Sequence, residues 1–287
     1  MIIALLTCKK LPNLTESDKL LIPAFAKKNI LAIPVIWNDE TINWLEFDFL
    51  IFRNTWDYYE NQIEFDEWLR KIEKLEVKTL NSISVINKNK HKFYLKDLEN
   101  LGIKIIPTIF INKTENLSLI EIIPVHWEKV IIKPACSAGS FQTELFEISE
   151  IEKISQKYAL IASEKELLLQ EFMTEIKTLG ETSFIFFNKK FSHAVNKKPT
   201  NNDFRIQEQF GGIYKLIIAN ELIIKKASLI VDTFNEDLLY ARVDGIVIDN
   251  ELHLMEVECL EPDLYFNLLE GSIDEFVASV LKLITKF

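Results

Sequence analysis

Along the chain the apolar positions change period several times, and each change marks an element. IIALLT near the start is an unbroken apolar run and reads as a buried strand. TESDKLLIPAFAKKN then takes helical spacing, with Thr15 or Ser17 as N-cap, although Pro23 should kink or shorten it. ILAIPVIW and FDFLIF read as strands, QIEFDEWLRKIEKL as a helix and VKTL as a strand. That alternation predicts a parallel, doubly wound layer over 1–86. A helical pattern runs from Asn87 to Leu101, closed by Gly102. IIPTIFI, VIIKPA and ELFEI are predicted strands and ISEIEKISQKYALIA a helix, making a smaller middle block over 87–166. The last block, 167–287, opens with the strand-like LLLQEFM and TSFIFFNKKFSHAV and is interrupted by the polar NKKPTNNDFRIQEQFGG. It continues with a helix over ANELIIKKASLIVDTF, pairs YARVDGIVID with ELHLMEVECLE around Asn250, and closes on the amphipathic SIDEFVASVLKLITKF.

Composition narrows the function classes. Hydrophobic residues are 48% and charged residues 26% of 287, as in a globular chain and unlike a disordered one. The net charge of -10 argues against nucleic acid and anionic membranes as partners. Cys8, Cys136 and Cys259 are odd in number and far apart, which fits a reducing cytoplasm. MIIALLTCKK puts apolar residues before lysines, the reverse of a signal peptide. No run approaches the roughly 18 apolar residues of a membrane-spanning helix.

The seven glycines form neither G-x-G-x-x-G nor G-x-x-x-x-G-K, so a dinucleotide-binding dehydrogenase and a P-loop NTPase are both disfavoured. The four histidines lack metal-site spacing and there is no G-x-S-x-G.

Chemistry concentrates in the last hairpin. Glu256 and Glu258 are two apart in a strand and share a face. A three-residue loop centred on Asn250 would put Asp244 opposite Glu256; a two-residue loop would turn Asp244 away unless a bulge corrected the register. Three converging carboxylates require a cation between them, and Mg2+ with oxygen ligands suits. The bland alternative is a solvated sheet face. A second cluster is VIIKPACSAGS, where Lys133 closes an apolar strand and small residues from Ala135 to Ser140 let backbone N–H groups reach an anion. A plain surface lysine is the alternative there.

These pieces occur in the order of the ATP-grasp superfamily: Lys92 in NKHKFYL, Lys133 in VIIKPACSAGS, QEF at 170–172, GETSF at 180–184, DFR at 203–205, GG at 211–212, ARVDG at 241–245 and MEVE at 255–258. RNTWDY at 53–58 and VECLEP at 257–262 resemble the subgroup containing the cycloserine-forming cyclo-ligase. The resemblance implies an α+β and α/β ATP-grasp fold, in which a Rossmann-like N-terminal domain (1–86) precedes two α+β lobes (87–166 and 167–287) that clamp ATP. It implies a carboxylate–amine ligase working through an acyl phosphate on a small amino-acid-like substrate. A cyclo-ligase, or a nucleotide-binding protein without turnover, are the alternatives. Lys92, Lys133, Ser140, Glu171, Phe172 and Glu181 would bind ATP. Asp244, Glu256 and Glu258 would hold Mg2+, two ions by analogy, with Mn2+ able to replace them. Arg205 and Arg242 would be catalytic. Arg53, Trp56, Asp57, Gly211 and Gly212 would face the substrate, with Arg53 gripping a carboxylate. Two departures stand out: Glu258 replaces the usual Asn of the metal motif, and the phosphate loop has only Gly139. His91 and His193 are candidate bases by ordinary pKa alone. The partners expected are small carboxylate and amine substrates, without nucleic acid or membrane; a homodimer is allowed.

Overall fold

The computed structural model describes residues 1–199 and 211–287. The first unit is built on β1 (Ile2–Thr7), β2 (Leu31–Ile36), β3 (Phe49–Asn54) and β4 (Lys78–Leu80), ordered β2-β1-β3-β4 and parallel throughout. The alternation read from sequence therefore becomes the layer it predicts. The helix expected from Thr15 splits into α1 (Glu16–Lys19) and α2 (Leu21–Ala26), with Thr15 as the N-cap. Pro23, which has no N–H to return to Lys19, accounts for the break. One face of the layer packs on α3 (Gln62–Lys74) through Trp37, Trp44, Phe52, Phe65 and Trp68. The other face packs on α2 and on the closing helix α9 (Ser272–Ile284), so the chain's last element returns to its first unit.

The helix expected over 87–101 is also two, α4 (Ile83–Asn89) and α5 (Tyr94–Asn100). Between them the N–H of Lys92 leaves the helical ladder and donates to Ala135 O at 2.8 Å. The middle sheet is antiparallel in the order β5-β8-β6-β7, from β5 (Thr108–Ile111), β6 (Lys129–Pro134), β7 (Glu144–Glu147) and β8 (Leu167–Glu171). It is covered by α6 (Leu119–Ile122) and α7 (Ile151–Glu164). β8, which the sequence pattern places at the head of the last block, is thus hydrogen-bonded inside the middle sheet, with Leu167 and Leu169 in that sheet's core and Leu168 in the core behind the third sheet.

The third sheet, β11-β10-β9-β12-β13, is antiparallel and contains β9 (Glu181–Phe187), β10 (Lys190–Lys198), β11 (Ile213–Ile217), β12 (Tyr240–Ile248) and β13 (Glu251–Glu258), backed by α8 (Glu221–Asp232). β13 is an edge strand, and side chains cover its open backbone. Asn89 binds Val257 O and Cys259 N, both at 2.7 Å, and Tyr94 Oη binds Val257. Asn81 ties Leu239 N, Tyr240 O and Cys259 O to the first unit. Such pairing satisfies strand edges that would otherwise recruit another chain.

Candidate active site

The β12–β13 hairpin resolves the register question. Its turn has two residues, Asp249 and Asn250, both with positive φ, and Ile248 pairs with Glu251. A bulge then corrects the phase: Gly245 pairs with Leu254, Met255 is the extra residue, and Asp244 faces Glu256. A Cβ on Gly245 would lie 2.5 Å from His253 O, so the close crossing requires glycine. Arg242, opposite Glu258, joins the two acids on the same face.

These residues line one cleft of about 620 Å³ between the lobes. Its chemistry is divided. At one end Ile131, Phe172, Met173, Ile176, Ile246 and Met255 make an apolar slot. The backbone N–H groups of Glu171 and Phe172 are engaged by Pro107 O and Lys129 O, so these two residues offer a carboxylate and a ring face. At the other end stand Lys92, Lys133, Lys197, Arg242, Asp244, Glu256 and Glu258. Lys92 pairs with Glu256. Arg242 reaches Asp244 at 2.9 Å and Glu258 at 2.6 Å. Lys197 Nζ lies 2.5 Å from Glu181 and 3.4 Å from Asp244. Ser183 donates to Asp244.

Charge balance sets the protonation states. Burial opposes ionisation of Asp244, but Arg242 and Lys197 hold its carboxyl below the ordinary range. Burial, with Glu256 and Asp244 nearby and Arg242 only partly offsetting them, pushes Glu258 up to about 7. Lys133 has no carboxylate partner among the described residues, and burial, helped by Lys92, brings its ammonium down to about 8. A recessed lysine short of negative charge is prepared for an anion. Beside it, Gly139 and Ser140 have positive φ, and the loop carrying them touches the first unit through Tyr59 and Phe141, ring centres 4.8 Å apart.

An oxygen-only donor set on one face fits Mg2+ chemically. Among the described residues no three acidic, histidine or cysteine side chains already converge enough to hold a metal, since Lys92 and Arg242 occupy that space. The acids would hold Mg2+ only together with phosphate oxygens.

Most of the expected site residues line the cleft: Lys92, Lys133, Ser140, Glu171, Phe172, Glu181, Trp56, Arg242, Asp244, Glu256 and Glu258. Others do not. Arg53 is fully buried: its Nε lies 2.9 Å from Asp18, and a guanidinium N–H donates to Pro262 O at 2.9 Å. It alternates away from the cleft into the core shared with Tyr240 and Phe276, so it clasps units together and does not line the cleft. Asp57 accepts from Trp37 Nε1 at 2.6 Å and also stays off the cleft. Gly211 and Gly212 lead into β11 and do not line it. Arg205 lies outside the described residues. His91 faces Glu166, and His193 is buried against Leu264 O with its pKa lowered by that burial; neither lines the cleft. Lys197, Tyr59, Glu261, Asp263 and Tyr265 line it unforeseen.

Arg53→Met should therefore lower unfolding free energy by about 3–5 kcal/mol, because Asp18 would be left buried and unpaired. Urea denaturation measures this. A stability loss below about 1 kcal/mol would remove the clasp.

Comparison with solved structures decides the fold. The crystal structure of D-cycloserine synthetase DcsG superposes with a TM-score of 0.88 at 22% identity, covering 98% of this chain and 99% of that one. The chain has the ATP-grasp fold. D-alanine–D-alanine ligase from Bacillus anthracis complexed with ATP follows at 0.69, 16% identity, and 98% and 96% coverage. The ATP-grasp ligase PsnB, complexed with a phosphomimetic precursor variant, Mg and ADP, gives 0.66 at 12%, with 96% and 98% coverage. At sequence level, residues 3–81 match the N-terminal domain of D-cycloserine synthetase DcsG. The cycloserine biosynthesis protein DcsG of Streptomyces lavendulae is 25% identical over 261 residues, covering 85% of this chain and 86% of that protein. The resemblance to the cycloserine-forming subgroup of ATP-grasp ligases, first drawn from RNTWDY and VECLEP, thus extends over most of the length.

Proposed function

We propose that this chain is an ATP-dependent carboxylate–amine ligase that acts through an acyl phosphate on a small amino-acid-like substrate. The observation that carries the reading is the division of one cleft into an apolar slot and an ion-rich end, where Lys133 has no carboxylate partner among the described residues. Phe172, Met173 and Met255 would enclose the base, Glu171 would accept from its amino group, and Glu181 would meet the ribose. Lys133 and Lys92, with the backbone of the 135–140 loop, would hold the phosphates. Mg2+, held by Asp244, Glu256 and Glu258, would neutralise charge on the transferring phosphoryl group. Arg205 is a proposed partner in that task.

The substrate's carboxylate oxygen would attack the γ-phosphate with departure of ADP, and a nitrogen would then attack the acyl carbonyl, losing a proton as inorganic phosphate leaves. The oxyanion then forming needs donors fixed in advance. Arg242 supports this role, because Asp244, Glu258 and Asp263 O fix its guanidinium from three sides. Cyclisation within one molecule is the second reading, favoured by the higher TM-score to D-cycloserine synthetase than to the dipeptide-forming ligase. The proposed ATP-grasp lobes meet after Glu171, between β8 and β9. Three free cysteines accord with a cytoplasmic location, and among the described residues no helix is long and apolar enough to cross a membrane. A homodimer would show in light scattering.

The test is an ADP-release screen of amino acids and their ureido, hydroxamate and dipeptide derivatives with Mg2+, run beside binding of a non-hydrolysable ATP analogue. ADP release dependent on one acid is expected. Analogue binding with no release across the panel would leave a nucleotide-binding protein without turnover.

A further inference from the structure

Arg242 is held at its nitrogens. Nε lies 2.9 Å from Asp244, Nη1 donates to Asp263 O at 3.2 Å, and Nη2 lies 2.6 Å from Glu258. Contacts of this kind meet the edge of the guanidinium plane, and a hydrogen bond tolerates roughly 30° of bending before it weakens. They place the group and leave its tilt loose. The face of the plane meets a different residue: Arg242 Cζ lies 5.8 Å from the centre of the Tyr265 ring. At that range the electron-rich face of a ring attracts a guanidinium.

Tyr265 reaches that position through a costly backbone. Its φ is +52°, a left-handed value that a bulky aromatic residue seldom takes. The flanking chain enforces it. Leu264 and Phe266 are both packed in the core shared by the first layer and α9, so neither neighbour is free to turn. Tyr265 N–H donates to Asp263 Oδ1 at 2.8 Å, and Tyr265 O accepts from Leu268 N–H at 2.9 Å. Three consecutive side chains are thereby buried, and of them only Tyr265 lines the cleft. Tyr214 braces it from β11, edge to face, with ring centres 5.5 Å apart. Its contacts to Arg242 and to Tyr214 are both made by the ring. Strain of this kind persists where the surroundings over-determine it, and it gathers at functional sites. Here it sets an aromatic face against Arg242.

We propose that Tyr265 is a positioning residue whose ring face fixes the tilt of the Arg242 guanidinium, aiming its N–H groups at the oxyanion that forms when nitrogen attacks the acyl carbonyl. This rests on the ligase reading above and on Arg242 as the donor. A donor in that role must be aimed before the charge appears, and a displacement of about 1 Å can cost on the order of 100-fold in rate. The earlier step, phosphoryl transfer, is the task of Mg2+ and the lysines. A change at Tyr265 should therefore slow the second step and spare the first.

The experiment compares Tyr265→Phe with Tyr265→Leu, which fill the space with and without an aromatic face. Both are measured beside wild type for kcat and KM on the substrate found by ADP release, for ATP-analogue affinity and for Tm. Oxygen-isotope exchange between the bridging and non-bridging positions of ATP is followed as well, since it reports reversible phosphoryl transfer to the acid. Tyr265→Phe is expected within about threefold of wild type throughout. Tyr265→Leu should lower kcat by about 10- to 30-fold, with KM and analogue affinity within about twofold, while exchange per turnover rises. A kcat within about threefold of wild type in Tyr265→Leu makes the ring mere packing and overturns the assignment while the ligase reading stands. An equal loss in Tyr265→Phe would put the hydroxyl, not the face, at work and overturns it too, as does a kcat loss with exchange per turnover unchanged. Pentafluorophenylalanine at position 265 keeps the shape of Phe and withdraws charge from its face, so it decides the matter where Tyr265→Leu does not fold. A kcat below that of Tyr265→Phe is then expected, and an equal kcat overturns the assignment. No turnover by wild type, despite analogue binding, sinks the ligase reading and this role with it.

Discussion

Lys133→Met is expected to weaken binding of a non-hydrolysable ATP analogue by about 10- to 100-fold, the worth of one charge-assisted contact in a recessed site. It is also expected to leave Tm unchanged or slightly raised. The two results go together because Lys133 holds no carboxylate among the described residues, so the substitution orphans nothing. Its ammonium titrates near 8, below the ordinary lysine value, since burial outweighs the pull of Glu256. Two pH effects follow. Analogue affinity should fall as pH rises through about 8, because the phosphate-binding charge is lost. This group's contribution to stability should instead rise across that window and up to the ordinary lysine range, since the unfolded chain binds the proton more tightly. Isothermal titration and urea denaturation from pH 7 to 9.5 on wild type and Lys133→Met check the first and the second in turn. A flat wild-type profile, or an affinity unchanged by the substitution, would remove Lys133 from the phosphate site.

Glu256→Gln is expected to lower ADP release by at least about 100-fold, through lost hold on the cation that screens the transferring phosphate. It should also abolish the strengthening of ATP-analogue binding by Mg2+, a readout independent of turnover. Asp244→Asn should be as inactive but less stable, because Asp244 compensates both Arg242 and Lys197 in the interior. Release within fivefold of wild type in Glu256→Gln, with the Mg2+ dependence intact, would remove Glu256 from the metal site.

Much of this architecture is legible in the sequence because it depends on periodicity. The parallel first layer, the closing helix and the hairpin carrying the acids all follow from apolar spacing. What the sequence conceals depends on which way a polar side chain turns. Arg53 ends an apolar strand, where either a cleft or a core can receive it, and only Asp18, 35 positions earlier, shows that the core does. Lys197 sits in a polar run that reads as solvated, yet β10 lies between β9 and β11 and buries it against Glu181. Gly245 was the one visible signal of the bulge, an isolated glycine inside a strand pattern. Glu261 has no signal in the pattern, since its burial at the cleft wall is a property of the folded neighbourhood alone.

The bulge at Met255 makes two features of the cleft separately adjustable. A regular strand would send consecutive side chains to opposite faces, but here Met255 and Glu256 both line the cleft, the first in its apolar slot and the second among its ions. Variation at Met255 can therefore reshape the proposed nucleobase slot while the acids keep their places. Loss of that residue would give a regular ladder with Glu256 still opposite Asp244. In the proposed reading, choice of base and handling of phosphate can thus drift independently in descendants of this chain, one residue apart on a single strand.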